Sequence, residues 1–163
     1  MRLFRAAAWR LIAAALAGIA LTGTAFAATP ASVFDVASAQ KDLTTFVSAV
    51  KTAGLTGMLS GPGDFTVFAP TDAAFAKMPA ADRDALMRDP AKLKALILDR
   101  VVSERITINT PDGNLRDGSF ASVGGAMILA HTDKNDRLMI GDAHVVKTDM
   151  SAKNGVLTTI DGV

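Results

Sequence analysis

The stretch from Phe65 to Pro79, FTVFAPTDAAFAKMP, restricts the fold more than any other part of this chain. Phe65-Thr66-Val67-Phe68-Ala69 is short, apolar and rich in β-branched and aromatic residues, and Gly61-Pro62-Gly63 precedes it. That pattern predicts a buried strand entered through a tight turn. Pro70 cannot donate to a sheet ladder, so the strand is expected to end there. Thr71 is placed to cap a helix, and Asp72 sets a negative charge on the first turn, where the helix dipole favours it. Ala73 to Lys77 continue the helix until Pro79 stops it.

The N-terminus reads as an address rather than part of the fold. Arg2, Arg5 and Arg10 form a basic leader, Leu11 to Leu21 is an apolar run, and Ala25-Phe26-Ala27 gives the A-x-A pattern of a signal-peptidase site. Residues 1–27 are therefore expected to be a signal peptide cleaved after Ala27. The alternative is an uncleaved anchor, since Leu11 to Ala28 approaches the roughly 20 apolar residues of a membrane span. Thr22, Gly23 and Thr24 and the cleavage pattern favour removal. With no cysteine there is no lipid-anchored form, and no arginine pair precedes the apolar run, which indicates the general secretion route.

Cleavage leaves 136 of the 163 residues, a single-domain length with enough chain to bury a core. The whole chain carries 17 basic and 16 acidic side chains. Three of the arginines and none of the acids lie in the leader, so the exported part holds 14 against 16. A mildly acidic domain without a basic cluster has no electrostatic reason to bind nucleic acid or anionic lipid. Zero cysteines exclude disulfides, thiolate metal sites and thiol nucleophiles, so packing alone has to hold the exported fold.

The first half of the exported chain reads as helical. Thr29-Pro30 predicts a cap and first helical position, followed by Val33, Phe34, Val36 and Ala37. Asp42 is expected to cap a second helix carrying Leu43, Phe46, Val47 and Val50, with Gly54 as its stop. Leu55, Met58 and Leu59 suggest a further turn. Asp82 to Arg88 predicts a short helix, and Asp89-Pro90 opens another with Leu93, Leu96, Ile97 and Val101 on one side. From Ile106 the period becomes two: strands are expected over Ile106–Thr110, Ser119–Val123, Ala126–His131, Arg137–Ile140, Asp142–Lys147 and Val156–Ile160. Turns are expected at Pro111-Asp112-Gly113, Gly124-Gly125 and Asp133–Asp136. Helices first and strands mostly later indicate an α+β fold, with the Phe65–Ala69 strand joining the later sheet.

Catalytic patterns are absent from the sequence. His131 and His144 stand on different expected strands and read as partly exposed strand histidines, short of the three or four ligands of a zinc site. Asp133-Lys134-Asn135-Asp136-Arg137 lacks the glycine and distal glutamate of a calcium loop and reads as a hairpin turn. No serine sits in a G-x-S-x-G elbow, and no glycine pair leads into the lysine of a phosphate loop. Asp82 and Asp84, two apart on a helix, face different directions. No catalytic, metal or cofactor-binding residue is assigned, and an enzyme is not expected.

Gly61-Pro62-Gly63-Asp64 followed by FTVFAPTDAAF closely resembles the first signature box of the fasciclin domain. Asn154 to Val163, NGVLTTIDGV, resembles its second box, and the likeness extends from about Ala31 to Val163. It implies one domain over residues 28–163, a wedge of β-sheet packed with several short helices. It also implies structural roles for Thr71 and Asp72 at the helix corner and for Asn154 and Gly155 at the last turn. Many members carry a Tyr-His pair implicated in receptor contacts at the end of the long helix. Here Leu96-Ile97-Leu98-Asp99-Arg100-Val101-Val102 occupies that place, so Asp99 and Arg100 are the binding candidates, set against a reading as an exposed ion pair or local contact. Thr158 stands where many members have histidine.

The resemblance implies a secreted or periplasmic module that contacts a protein or cell surface. A second reading is a carrier of an apolar small molecule such as a carotenoid, which some fasciclin-like proteins bind. Met127, Ile128, Leu129, Leu138, Met139 and Ile140 supply a flexible apolar stretch for it, against a plain reading as core.

Overall fold

The polypeptide enters the described part of the computed structural model, residues 31–107 and 118–163, through a capped helix. That helix, α1 (Val33–Ala39), starts behind Ser32. The Ser32 hydroxyl accepts from the Asp35 amide at 3.2 Å, and the Asp35 carboxylate accepts from the Ser32 amide at 2.9 Å, a capping box. The cap expected at Thr29 with Pro30 lies outside the described residues, and Ser32 performs that role.

Helix α2 (Thr44–Thr52) has Leu43 at its N-cap, so Asp42 does not cap it as expected. The Asp42 carboxylate accepts instead from Lys147 Nζ at 3.2 Å, and its backbone carbonyl accepts from the Asp72 amide at 2.7 Å. The cap comes from Asp72, 28 residues on. Its carboxylate accepts from the Thr45 amide at 2.7 Å, the Thr44 amide at 3.2 Å and the Thr44 hydroxyl at 2.6 Å. Gly54, at φ +70°, stops the helix as predicted, and α3 (Thr56–Ser60) supplies the further turn.

Strand β1 (Phe65–Pro70) and helix α4 (Asp72–Lys77) fall where the signature stretch puts them, with Thr71 Oγ1 accepting from the Ala74 amide at 3.2 Å. Two further helices follow, α5 (Ala80–Arg88) and α6 (Pro90–Leu98). Asp89 caps the latter by accepting from the amides of Ala91 and Lys92. Val101 does not continue the apolar side of α6. The helix ends at Leu98, Asp99 and Arg100 turn the chain, and Val101–Val102 form strand β2 antiparallel to β1.

Of the strand expected from Ile106 to Thr110, Ile106 and Thr107 are irregular, the Ile106 amide being taken by Thr66 Oγ1 at 2.8 Å. The remainder, with the Pro111-Asp112-Gly113 turn, lies outside the described residues. Strand β3 (Gly118–Ala121) stops short of Val123 because the Ser122 hydroxyl accepts from the Ala126 amide and closes the turn. Strands β4 (Met127–Thr132), β5 (Leu138–Ile140), β6 (Ala143–Ala152) and β7 (Gly155–Ile160) complete the set.

The sheet order is β2-β1-β7-β6-β5-β4-β3, and β1 runs parallel to β7, from Phe65 opposite Gly155 to Pro70 opposite Ile160. The signature strand thus joins the later sheet, and the fold is α+β. Its register leaves β1 and β7 buried on both faces. Val67, Ala69 and Leu157 pack with Phe46, Val50, Leu93 and Ile97 of the helices. Phe68 and Ile160 pack on the other side with Val102, Ile128, Leu138 and Ile140. Strand β6 extends past Lys147 to Ala152 because register shifts at Val145–Lys147 and Lys147–Met150 let it bend while staying paired to β7.

Candidate functional site

The two histidines come closer than their separation in sequence suggests. His131 on β4 and His144 on β6 are both half-buried and both stand opposite Met139 of the intervening β5. The His144 ring lies between two carboxylates, with Asp133 Oδ2 at 3.7 Å and Asp161 Oδ2 at 3.6 Å. Asp133 is nonetheless a turn residue. It accepts from the amides of Asn135 and Arg137 and forms an ion pair with Arg137 at 2.9 Å. Those hydrogen bonds, the Arg137 amide foremost, hold its carboxyl well below the usual carboxylate range. Among the described residues no group of three or more His, Asp or Glu side chains is arranged to hold a metal.

Asn154 and Gly155 sit where three elements meet. The two-residue connection between β6 and β7 is Lys153–Asn154, with Ala152 opposite Gly155, so Asn154-Gly155 is not the turn pair itself. The Asn154 side chain is buried and uses both ends of its amide. Oδ1 accepts from the Val33 amide at 2.8 Å, and Nδ2 donates to the carbonyls of Leu59 at 2.9 Å and Gly61 at 2.7 Å. Gly155 is required for a different reason: a Cβ there would overlap the backbone carbonyl of Phe65 on the parallel neighbour.

Asp99 and Arg100 form the corner between α6 and β2, both half-buried. They make no ion pair of 4 Å or less with each other among the described residues, so the reading as an exposed ion pair fails. Asp99 packs on the backbone of Gly124, where a Cβ would collide with its carboxylate, and the Gly124 amide donates to the Leu98 carbonyl at 3.0 Å. Arg100, like Asp99, borders a cavity of about 410 Å³ whose lining also includes Met127, Ile128, Leu129, Gly141, Asp142 and Val163. Its guanidinium has no hydrogen bond or ion pair among the described residues. Burial pushes its pKa below the ordinary arginine value, and the nearby Asp99 charge partly offsets this. Arginine still remains charged at neutral pH.

Of the apolar stretch, Met127, Ile128, Leu129 and Ile140 all border this cavity, and alternation along β4 sends Met127 and Leu129 to the face opposite Ile128. Ile128 and Ala130 point into the core, as do Leu138 and Ile140 of β5. Met127 and Leu129 point out, 67% and 52% exposed. The plain core reading thus holds for half of those residues and fails for Met127 and Leu129. Nothing in the local sequence marks Gly141 and Val163 as neighbours of Arg100; the sheet order brings them there.

The chain matches the fasciclin domain over residues 41–163. Protein sll1483 of Synechocystis sp. is 35% identical over 81% of this chain and 72% of its own length. Uncharacterized protein sll1735 of the same organism is 33% identical, the match covering 81% of this chain and 96% of that protein. Transforming growth factor-beta-induced protein ig-h3 of Sus scrofa is 34% identical over 81% of this chain, which amounts to 19% of that protein. Two signature boxes on adjacent parallel strands and a match spanning both agree: the chain belongs to the fasciclin domain family.

Proposed function

We propose that this protein is an exported fasciclin module, released by cleavage after Ala27 into the periplasm or the medium, that acts by contact with a protein or cell surface and not by catalysis. The observation that carries this reading is the outer face of β4. Met127 and Leu129 stand side by side in solvent there, with Val123 also exposed just before the strand. Clustered exposed apolar side chains mark interaction surfaces more often than isolated ones do. Among the described residues no helix is long and apolar enough to cross a membrane. Mass spectrometry of protein recovered from its producing cell should show a chain beginning at Ala28. Binding to envelope or host-surface preparations should be saturable and weakened in the Met127→Ser/Leu129→Ser variant. Non-saturable binding, or binding indifferent to that variant, overturns the reading.

A second reading, a carrier of an apolar small molecule, is favoured by the same two side chains for a different reason: they border a cavity. A carotenoid or other apolar ligand retained through purification would be seen by native mass spectrometry and absorption. Protein recovered bare and gaining no stability from apolar ligands would end that reading.

A further inference from the structure

We propose that His131, Met139 and His144 form a binding site for a soft monovalent metal ion, copper(I), on the face of the sheet turned away from the core.

The three residues form one row. His131 of β4 stands opposite Met139 of β5, and Met139 stands opposite His144 of β6. Residues directly opposite one another in a sheet share a face, with Cβ atoms about 5 Å apart. Their neighbours Ala130, Leu138, Ile140 and Ala143 pack into the second apolar cluster, so alternation turns the row outward. Met139 is half-buried yet belongs to neither cluster, so its cover comes from the outer face.

Two strand spacings would hold the histidines about 10 Å apart at their Cα atoms. The His144 ring closes that gap by leaning across β5. Its Nε2 lies 3.2 Å from Arg137 Nη2 and 3.7 Å from Asp133 Oδ2, and Asp133 follows His131 by two residues. The tip of the ring thus arrives beside the end of β4 that carries His131.

The contacts of that ring also direct its lone pair. A guanidinium only donates, so Nε2 accepts from Arg137, and the hydrogen of the neutral ring sits on Nδ1, 3.6 Å from Asp161 Oδ2. One nitrogen with a lone pair and the other turned to a carboxylate is the arrangement of a metal-ligating histidine. Asp161 is itself held, accepting from the His144 amide at 2.7 Å and from Lys77 Nζ at 3.1 Å. Arg137 stands as a cation where the metal would bind. A metal ion displaces only that contact, because Arg137 keeps Asp133, to which its Nε and Nη2 donate at 3.0 and 2.9 Å.

His131 has nothing to give up. Its Nδ1 is buried without a hydrogen-bond partner, and the ring has no ion pair among the described residues. A buried polar atom left unpaired is unfavourable, and a bond to a metal relieves that cost.

The donor set selects the ion. Two neutral imidazoles and a thioether suit copper(I), whereas hard divalent ions prefer oxygen ligands. Asp133 and Asp161 border the site, but each already has its cation, Arg137 and Lys77. Among the described residues no third imidazole or carboxylate completes a site for a harder ion.

Silver(I), which shares the charge and sulfur preference of copper(I) without its redox chemistry, is the probe. Titrated in chloride-free buffer into the protein recovered from its producing cell, it should bind as a single ion by native mass spectrometry. The methyl resonance of Met139 should shift, and that of the exposed Met127, outside the row, should not. Met139→Leu and His131→Gln should each weaken silver about tenfold or more, since losing even an outer partner of a ligand costs that much. Met127→Leu should leave it unchanged. Zinc(II) should bind more weakly than silver(I), and anaerobic copper(I) should displace the silver. Silver binding indifferent to Met139→Leu, a shift at Met127 in place of Met139, or no binding at all overturns the site. Tighter binding of zinc(II), or silver retained against copper(I), overturns the choice of ion. Should a variant fail to fold by circular dichroism, the Met139 resonance of the unaltered protein decides, and a resonance indifferent to silver overturns the site.

Discussion

Asn154 shows how much of this fold rests on single polar side chains. Its amide joins the start of α1 to the end of α3 at the hairpin that leads into the interior strand β7. Asn154→Ala would leave the Val33 amide and the Leu59 and Gly61 carbonyls without this partner. Each orphaned buried group costs about 1–3 kcal/mol, so a loss of about 3 kcal/mol or more is expected from urea unfolding. Asn154→Asp should be nearly as damaging, since a carboxylate accepts from Val33 but donates nothing to the two carbonyls. A loss under about 1 kcal/mol in both would show that the network is dispensable. Thr158 is the opposite case. It is fully buried on β7, and its hydroxyl has no hydrogen-bond partner among the described residues. Thr158→Val keeps the shape and removes the unpartnered group, so the unfolding free energy from urea titration should hold or rise, by up to about 1 kcal/mol. A clear destabilisation would mean that the hydroxyl is satisfied. The importance of Asn154 and Gly155 was legible through family resemblance. Its cause was not, because an Asn-Gly pair reads locally as a turn, whereas here the glycine makes room for Phe65.

The corner formed by β1 and α4 carries its meaning at the level of elements. Thr71 caps its own helix, as the local sequence says, but Asp72 caps α2. No local pattern can reveal a cap supplied from 28 residues away. The same limit hid β2: two valines are too short for a period of two to appear, and Val101 happens to fit the spacing of the preceding helix. Asp72 makes the corner sensitive to acid. Burial pushes its carboxyl upward, but hydrogen bonds from Thr44 and Thr45 outweigh this and hold it below the ordinary 3.8. A depressed folded-state pKa contributes stability that is present above 3.8 and lost as pH falls through the folded value. Asp35 and Asp161 are shifted in the same direction. Urea midpoints should therefore fall below about pH 4. Asp72→Asn should lower the neutral-pH unfolding free energy by about 1 kcal/mol, a typical cap loss, and flatten the acid decline. An acid decline of unchanged slope in that variant would assign the effect to the other carboxylates.

At the scale of the whole molecule, the candidate site is a product of topology. The Asp99-Arg100 corner could be located from the apolar residues around it. Its company, Met127, Leu129, Gly141 and Val163, arrives only because β4 and β5 lie on the far side of the sheet from the helices and the end of β7 runs back past them. The same topology governs cooperativity. Strand β5 pairs with β6 through only two residue pairs, Met139 with His144 and Ile140 with Ala143. So short a ladder would leave β3, β4 and β5 to open by themselves if hydrogen bonding were all that held them. Ile128, Leu138 and Ile140, however, pack against Phe68, Val102 and Ile160, whose strands are flanked on their other face by the helical cluster. Apolar packing therefore couples the two halves. Native-state hydrogen exchange should give the amides of Ile140 and Ala130 the same opening free energy as those of Leu157 on β7. Ile140→Ala and Leu93→Ala, one in each cluster, should each remove about 2–5 kcal/mol and lower both sets of amides together. If Ile140→Ala loosened only β4 and β5, the sheet would unfold in two parts. The wall bearing Met127 and Leu129 would then be free to move independently of Arg100.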